Sequence, residues 1–180
     1  MTKTTRNIND GIDNSIDNEV IADPAENPSP GHPTTMRAVV QDRYGSADVL
    51  SMASVPVPVA GDNEVLIEVA AAGLDRGVWH LMTGLPYLIR LAGYGFRKPK
   101  NPILGMDVAG RVVAVGSAVE RFAVGDEVMG IAAGSFAEYT IADQEKLAPK
   151  PANLTFDEGA ASTISGIAAL QALTTVGRVE

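Results

Sequence analysis

From Met36 onward, glycine-centred turns cut the chain into short runs that favour extended structure. Residues 37–41 (RAVVQ), 49–55, 64–71 (EVLIEVAA), 108–115 (VAGRVVAV), 127–131 and 135–141 (SFAEYTI) are six such runs. Between them stand Tyr44-Gly45-Ser46, Gly61-Asp62-Asn63, Gly116-Ser117 and Gly125-Asp126, all of turn-forming chemistry. The run over 64–71 alternates charged and apolar residues at period two, the mark of a half-buried strand. Short strands at this spacing predict a mainly β fold with flanking helices, closed into a small, partly open barrel. The 18 glycines and 11 prolines agree with a turn-rich β protein and argue against a helical bundle.

Helix signals are confined to two places. Asp75 is placed to cap a short helix over 76–82, which Gly84 and Pro86 end. Residues 85–103 read as a mildly basic loop carrying Arg90, Arg97, Lys98 and Lys100. After Pro149 and Pro151, residues 155–158 (TFDE) form a capping box that opens an Ala-rich helix. Ser165-Gly166 is expected to split that segment into two helices. The division that follows is an arm over 1–35, a folded domain over 36–150 and a helical segment over 151–180. The arm is polar and acidic, ends in prolines, and has too little apolar surface to offset the entropy of ordering it.

The formal net charge is −8, and half of it lies in residues 1–35. Such a balance gives no attraction to nucleic acid or to an anionic membrane. No apolar run as uninterrupted as a membrane span appears, since the richest stretch, 159–177, is broken by Ser, Thr and Gln. The polar start MTKTTRNIND carries no signal-peptide core, which makes the cytoplasm the expected compartment.

Chemistry is constrained by what the residues cannot build. There is no cysteine, and the two histidines are His32 in the arm and His80. A zinc site of thiolates and imidazoles is therefore not expected, and the metal reading is none. Residues 93–98 (GYGFRK) lack the third glycine of a dinucleotide fingerprint and follow no strand. No phosphate loop and no serine nucleophile motif is present. Asn153-Leu154-Thr155 has the form of a glycosylation sequon, but helix initiation is its expected role.

Residues 101–130 (NPILGMDVAGRVVAVGSAVERFAVGDEVMG), 135–139 (SFAEY) and 146–151 (KLAPKP) occur in one order with one spacing. In that order they resemble the medium-chain dehydrogenase/reductase superfamily, over its GroES-like catalytic domain. The resemblance covers 36–180 and is closest to the zinc-free quinone oxidoreductase and enoyl reductase branches. Met106 stands where zinc enzymes of the family carry a histidine, and Leu74 lies near their cysteine position. The chain ends about where the family's Rossmann domain begins, so the expectation is that NADPH, or NADH, is held mainly by a domain outside these residues.

The resemblance also implies roles for four residues. Asp75 matches the position of an asparagine that in relatives lies near the nicotinamide; the alternative is a plain helix cap. Ser165 matches a helix-start contact to the same ring, or bonds within its own helix. His80 is a candidate proton donor in the cleft, or a packed side chain. Tyr87 borders the substrate, as an aromatic wall or as an acid. Without a zinc Lewis acid, the expected reaction is hydride transfer to a carbonyl, quinone or activated alkene of a small molecule. The contrasting readings are a non-enzymatic GroES-like binding or assembly module, which self-associates or is completed by a Rossmann domain on another chain, and an inactive truncated product.

Overall fold

The computed structural model describes residues 33–88 and 90–177, so most of the expected arm lies outside the described residues. Seven strands and two helices are formed there: β1 (Thr35–Val40), β2 (Ser51–Pro56), β3 (Glu64–Ala72), α1 (Arg76–Thr83), β4 (Asp107–Val115), β5 (Glu127–Ile131), β6 (Tyr139–Asp143), β7 (Leu147–Pro149) and α2 (Phe156–Gln171). All pairings are antiparallel. β1 and β2 make a two-stranded ribbon, and the main sheet has the order β6-β3-β4-β5-β7.

The ribbon is tied to the main sheet by isolated bridges, Ala38 to Ala137 and Val40 to Ile103. Val39 N–H donates to Phe136 O, and Gln41 N–H donates to Pro102 O, each at 2.8 Å. These bonds curl the structure into the expected partly open barrel. They also explain one difference from the sequence reading. Residues 135–138 were expected to begin the strand that ends at Ile141, but β6 starts only at Tyr139. The stretch before it turns to pair with β1, where Glu138 N–H donates to Arg37 O and the Glu138 carboxylate takes Arg37 Nε at 2.8 Å.

The core is a cluster of Val65, Ile67, Val108, Val112, Phe122, Val128, Ala132, Ala142 and Leu147. β3 is central, between β4 and β6, and a register shift at Leu66/Ile67 buries three consecutive residues, Val65, Leu66 and Ile67. The strict alternation read from the sequence holds only beyond that shift. A bulge turns successive side chains to the same side, so period two is lost there.

Thr155 caps α2 as expected: Glu158 N–H donates to its hydroxyl, and the Glu158 carboxylate accepts from Thr155 N–H. The expected split at Ser165-Gly166 does not occur. Phe156–Val176 runs on as 21 helical residues with a mean hydropathy of 1.2 and only 17% of its apolar window buried. The hydroxyls that looked like interruptions are absorbed by the helix itself. Ser162 and Thr163 donate to Gly159 O, and Thr174 donates to Leu170 O. By length and composition alone this helix reaches what a bilayer span requires, which the broken apolar pattern did not suggest. Its first two turns bury Gly159, Ala160 and Thr163 on the sheet, whereas Leu170, Leu173 and Val176 are exposed.

Candidate functional site

The end of β3, the start of β4 and the first half of α2 meet at Gly73. A Cβ there would fall 2.7 Å from Ala160 O and 2.7 Å from Asp107 Cβ, so only glycine admits this approach. Asp107 lies beneath it, 2% exposed, and its Oδ1 accepts the Ile164 N–H at 2.8 Å. A carboxylate at the head of β4 therefore reaches the middle of α2, one residue from Ser165. Burial pushes the Asp107 carboxyl above its usual range; the bond from Ile164 opposes this, and the nearby negative charge of Asp75 adds to the rise.

Asp75 caps α1, its Oδ1 accepting the Val78 N–H at 2.8 Å. Its second oxygen takes no hydrogen bond among the described residues. Ser165 is exposed on α2. Asp107 thus brings together the two elements that carry the residues read as cofactor contacts. Met106 lies between α1 and β4, its methyl 2.9 Å from where a Cβ on Gly77 would sit.

The other two candidates stand at the far end of α1. Gly84 ends that helix in the left-handed conformation, φ 64°, and its N–H donates to His80 O. His80 Nδ1 lies 2.6 Å from Leu85 O, which calls for the tautomer with Nδ1–H donating and leaves Nε2 as an acceptor. The Trp79 ring packs edge-on against His80 with centroids 5.0 Å apart. Tyr87 is 69% exposed, with the Arg90 guanidinium 4.8 Å from its ring centroid. The same guanidinium sits 4.3 Å from the Tyr44 ring, and its Nε donates to Gly84 O at 3.0 Å. Tyr44 in turn donates its hydroxyl to Gly95 O at 2.6 Å. Arg90 and Tyr44 therefore staple the loop after α1 to the turn after β1.

Two of these residues escaped the sequence reading. Asp107 was seen only as part of a motif; its signal was an acidic residue opening a strand whose one other charged residue is Arg111. Arg90 was counted as one of four basic loop residues, and nothing local marks it as the staple.

Residues 61–152 match the family model described as the alcohol dehydrogenase GroES-like domain. The chain belongs to that family. A relative of this GroES-like domain, the chloroplastic quinone-oxidoreductase homolog of Spinacia oleracea, is 34% identical over 152 residues, covering 81% of this chain and 44% of the relative. The solved quinone oxidoreductase of Coxiella burnetii superposes with a TM-score of 0.71 at 30% identity, covering 79% of this chain and 45% of that one. A mycobacterial protein solved in complex with NADPH superposes with a TM-score of 0.68 at 28% identity, covering 81% and 42%. The GroES-like domain and its flanking elements thus span under half the length of the curated relatives matched.

Proposed function

We propose that these residues form the substrate-side half of an NADPH- or NADH-dependent oxidoreductase that passes hydride to a quinone, an enone or a similar conjugated carbonyl. The observation that carries the reading is the junction at Asp107, whose backbone oxygen takes the N–H of Gly73, two residues before Asp75, and whose carboxylate takes the N–H of Ile164, one residue before Ser165. The pair suits a nicotinamide carboxamide: the free Asp75 oxygen accepts from its NH₂, and the Ser165 hydroxyl donates to its carbonyl. The cofactor, when bound, supplies the hydride. Asp75 and Ser165 orient the ring, the α1 helix and its following loop shield the substrate, and His80 moves a proton at Nε2. Tyr87 forms an aromatic wall.

The cofactor's phosphates are held by chain outside these 180 residues. Among the described residues there is no glycine-rich strand-turn-helix to receive them. Catalysis proceeds without zinc, a reading supported by the donor set: no cysteine in the whole sequence, methionine at position 106, and an exposed leucine at 74. The proposed compartment is the cytoplasm, with neither nucleic acid nor membrane as a partner.

The test is NADPH oxidation by the protein that carries this chain, offered a benzoquinone or an enone, and NADP⁺ reduction by it with a secondary alcohol, each with and without a chelator. Quinone or enone reduction indifferent to the chelator is expected. Chelator-sensitive alcohol oxidation contradicts the reading. Calorimetry of the 180-residue chain alone is expected to show no micromolar NADPH binding.

A second reading, an assembly module, rests on the exposed Ile167, Leu170, Leu173 and Val176 of the last helical turns. Sedimentation at two concentrations separates the two, since a clean monomer argues against assembly.

A further inference from the structure

Exposed apolar side chains gather on the loop after α1. Leu85, Leu88, Leu91, Tyr94 and Phe96 are each between 37% and 72% exposed. Apolar residues this close together on a surface mark a place that something else covers.

The charge around them has one sign. Residues 76–106 hold Arg76, Arg90, Arg97, Lys98 and Lys100 and no Asp or Glu, in a chain whose formal net charge is −8. Arg76 and Arg90 are engaged with aromatic rings. Arg97, Lys98 and Lys100 are exposed and take part in no ion pair among the described residues. Asp42 and Asp48 share a groove with the two lysines but already have partners, Arg43 and the Ser46 hydroxyl.

The chain carries a segment of matching chemistry. Residues 8–23 hold Asp10, Asp13, Asp17, Glu19 and Asp23 and no Lys or Arg. Within them Ile8, Ile12, Ile16 and Val20 recur at every fourth position, the spacing that gathers apolar groups on one side of a helix. Such a segment lacks apolar surface to order by itself, and an apolar partner surface of opposite charge supplies what it lacks.

The tether is long enough. The residues before Pro33 lie outside the described residues, and Thr34 O is anchored by the Val57 N–H. The loop approaches the far end of β1, where Gln41 N–H donates to Pro102 O and the Tyr44 hydroxyl donates to Gly95 O. The six residues of β1 rise about 20 Å. Residues 24–34 include Pro24, Pro28, Pro30 and Pro33, and a proline-rich stretch of that length reaches about 34 Å. Tethering holds the segment near the loop at high effective concentration. An anionic lipid surface offers the patch the same charge, but the arm's own carboxylates are repelled from it.

We infer that residues 8–23 dock on the outer face of the loop after α1, with Ile8, Ile12, Ile16 and Val20 against Leu88, Leu91 and Phe96 and the carboxylates facing Arg97, Lys98 and Lys100. The contact involves only residues of this chain and stands or falls apart from the oxidoreductase reading.

The sequence has no cysteine, so Asn18→Cys takes a single nitroxide label at a position off the apolar series. In NMR spectra of the labelled, isotope-enriched 180-residue chain, the amides of residues 87–98 are expected to lose intensity through the label. Reversing Arg97, Lys98 and Lys100 to Glu is expected to abolish that loss. Changing Asp10, Asp13 and Asp17 to Lys in the same chain is expected to restore it. An unaffected loop in the unaltered chain, or a loss that survives the reversal, would overturn the inference. So would an equal loss when the label is carried only by a second, unenriched chain, which would assign the patch to another copy. Contact of the loop with phosphatidylserine vesicles while the label leaves it untouched would overturn it in favour of a lipid surface. Should the reversed chain fail to fold, about 1 M salt, which shortens the screening length to about 3 Å, is expected to weaken the loss in the unaltered chain, and indifference to salt counts against the inference.

Discussion

The two sides of the candidate cleft are built in different ways. On one side Asp107, Gly73 and the first turns of α2 are locked to the sheet by backbone approach and a buried carboxylate. On the other, the loop after α1 is held by one guanidinium between two tyrosine rings and by a tyrosine hydroxyl. The first wall leaves no room for a methyl group. The second rests on contacts that single side chains provide and that can open locally. The contrast suits the proposed chemistry, in which one wall fixes a ring and the other closes over a variable substrate.

The largest expected effect breaks the rigid wall. Gly73→Ala sets a methyl against Ala160 O and Asp107 Cβ, and neither can move without shifting backbone. A loss of about 3 kcal/mol or more is expected in a denaturant titration. A loss below about 1 kcal/mol would mean that this wall is softer than described.

The next effect probes the loop. Arg90→Ala removes both ring contacts and the bond to Gly84 O. A loss of about 1 kcal/mol is expected. Limited proteolysis should cut between residues 84 and 100 much faster, while cleavage in β3 and β4 stays unchanged. Uniform acceleration across the chain would erase the distinction between the walls.

The smallest effect sharpens the comparison through pH. The raised Asp107 carboxyl holds its proton more tightly in the folded chain than in the unfolded one. Its contribution to stability is therefore full at low pH and is lost as pH rises through the folded value. Asp107→Asn keeps an acceptor for Ile164 N–H and discards the ionisation. The variant is expected to melt a few degrees higher than the unaltered chain at neutral pH. The gap should close below the ordinary carboxylate range. A variant less stable at neutral pH would show that the charge itself holds the junction.

Much of the fold was legible because its signals are local. The capping box at Thr155, the Asp75 cap and the Gly84 stop each act within one turn of helix, and all three fall where the sequence put them. Strands β3, β4 and β5 start and end within a residue of the expected runs. What the sequence hid depends on distant partners. Residues 135–138 look like the start of a strand until β1 claims them. Asp107 lies 57 positions before the Ile164 amide that it holds, and no spacing rule links them. Gln41 looks like an ordinary polar strand end, and only the folded structure shows that its side-chain oxygen is buried without a partner.

The central claim is that the Asp75 turn and the Ser165 stretch of α2, joined through Asp107, form the wall against which a nicotinamide lies. A crystal structure of the protein that carries this chain, with NADPH bound, tests it most directly. The account predicts the carboxamide within hydrogen-bond distance of Asp75 or Ser165, with the ring facing His80. A nicotinamide that touches neither element would contradict it.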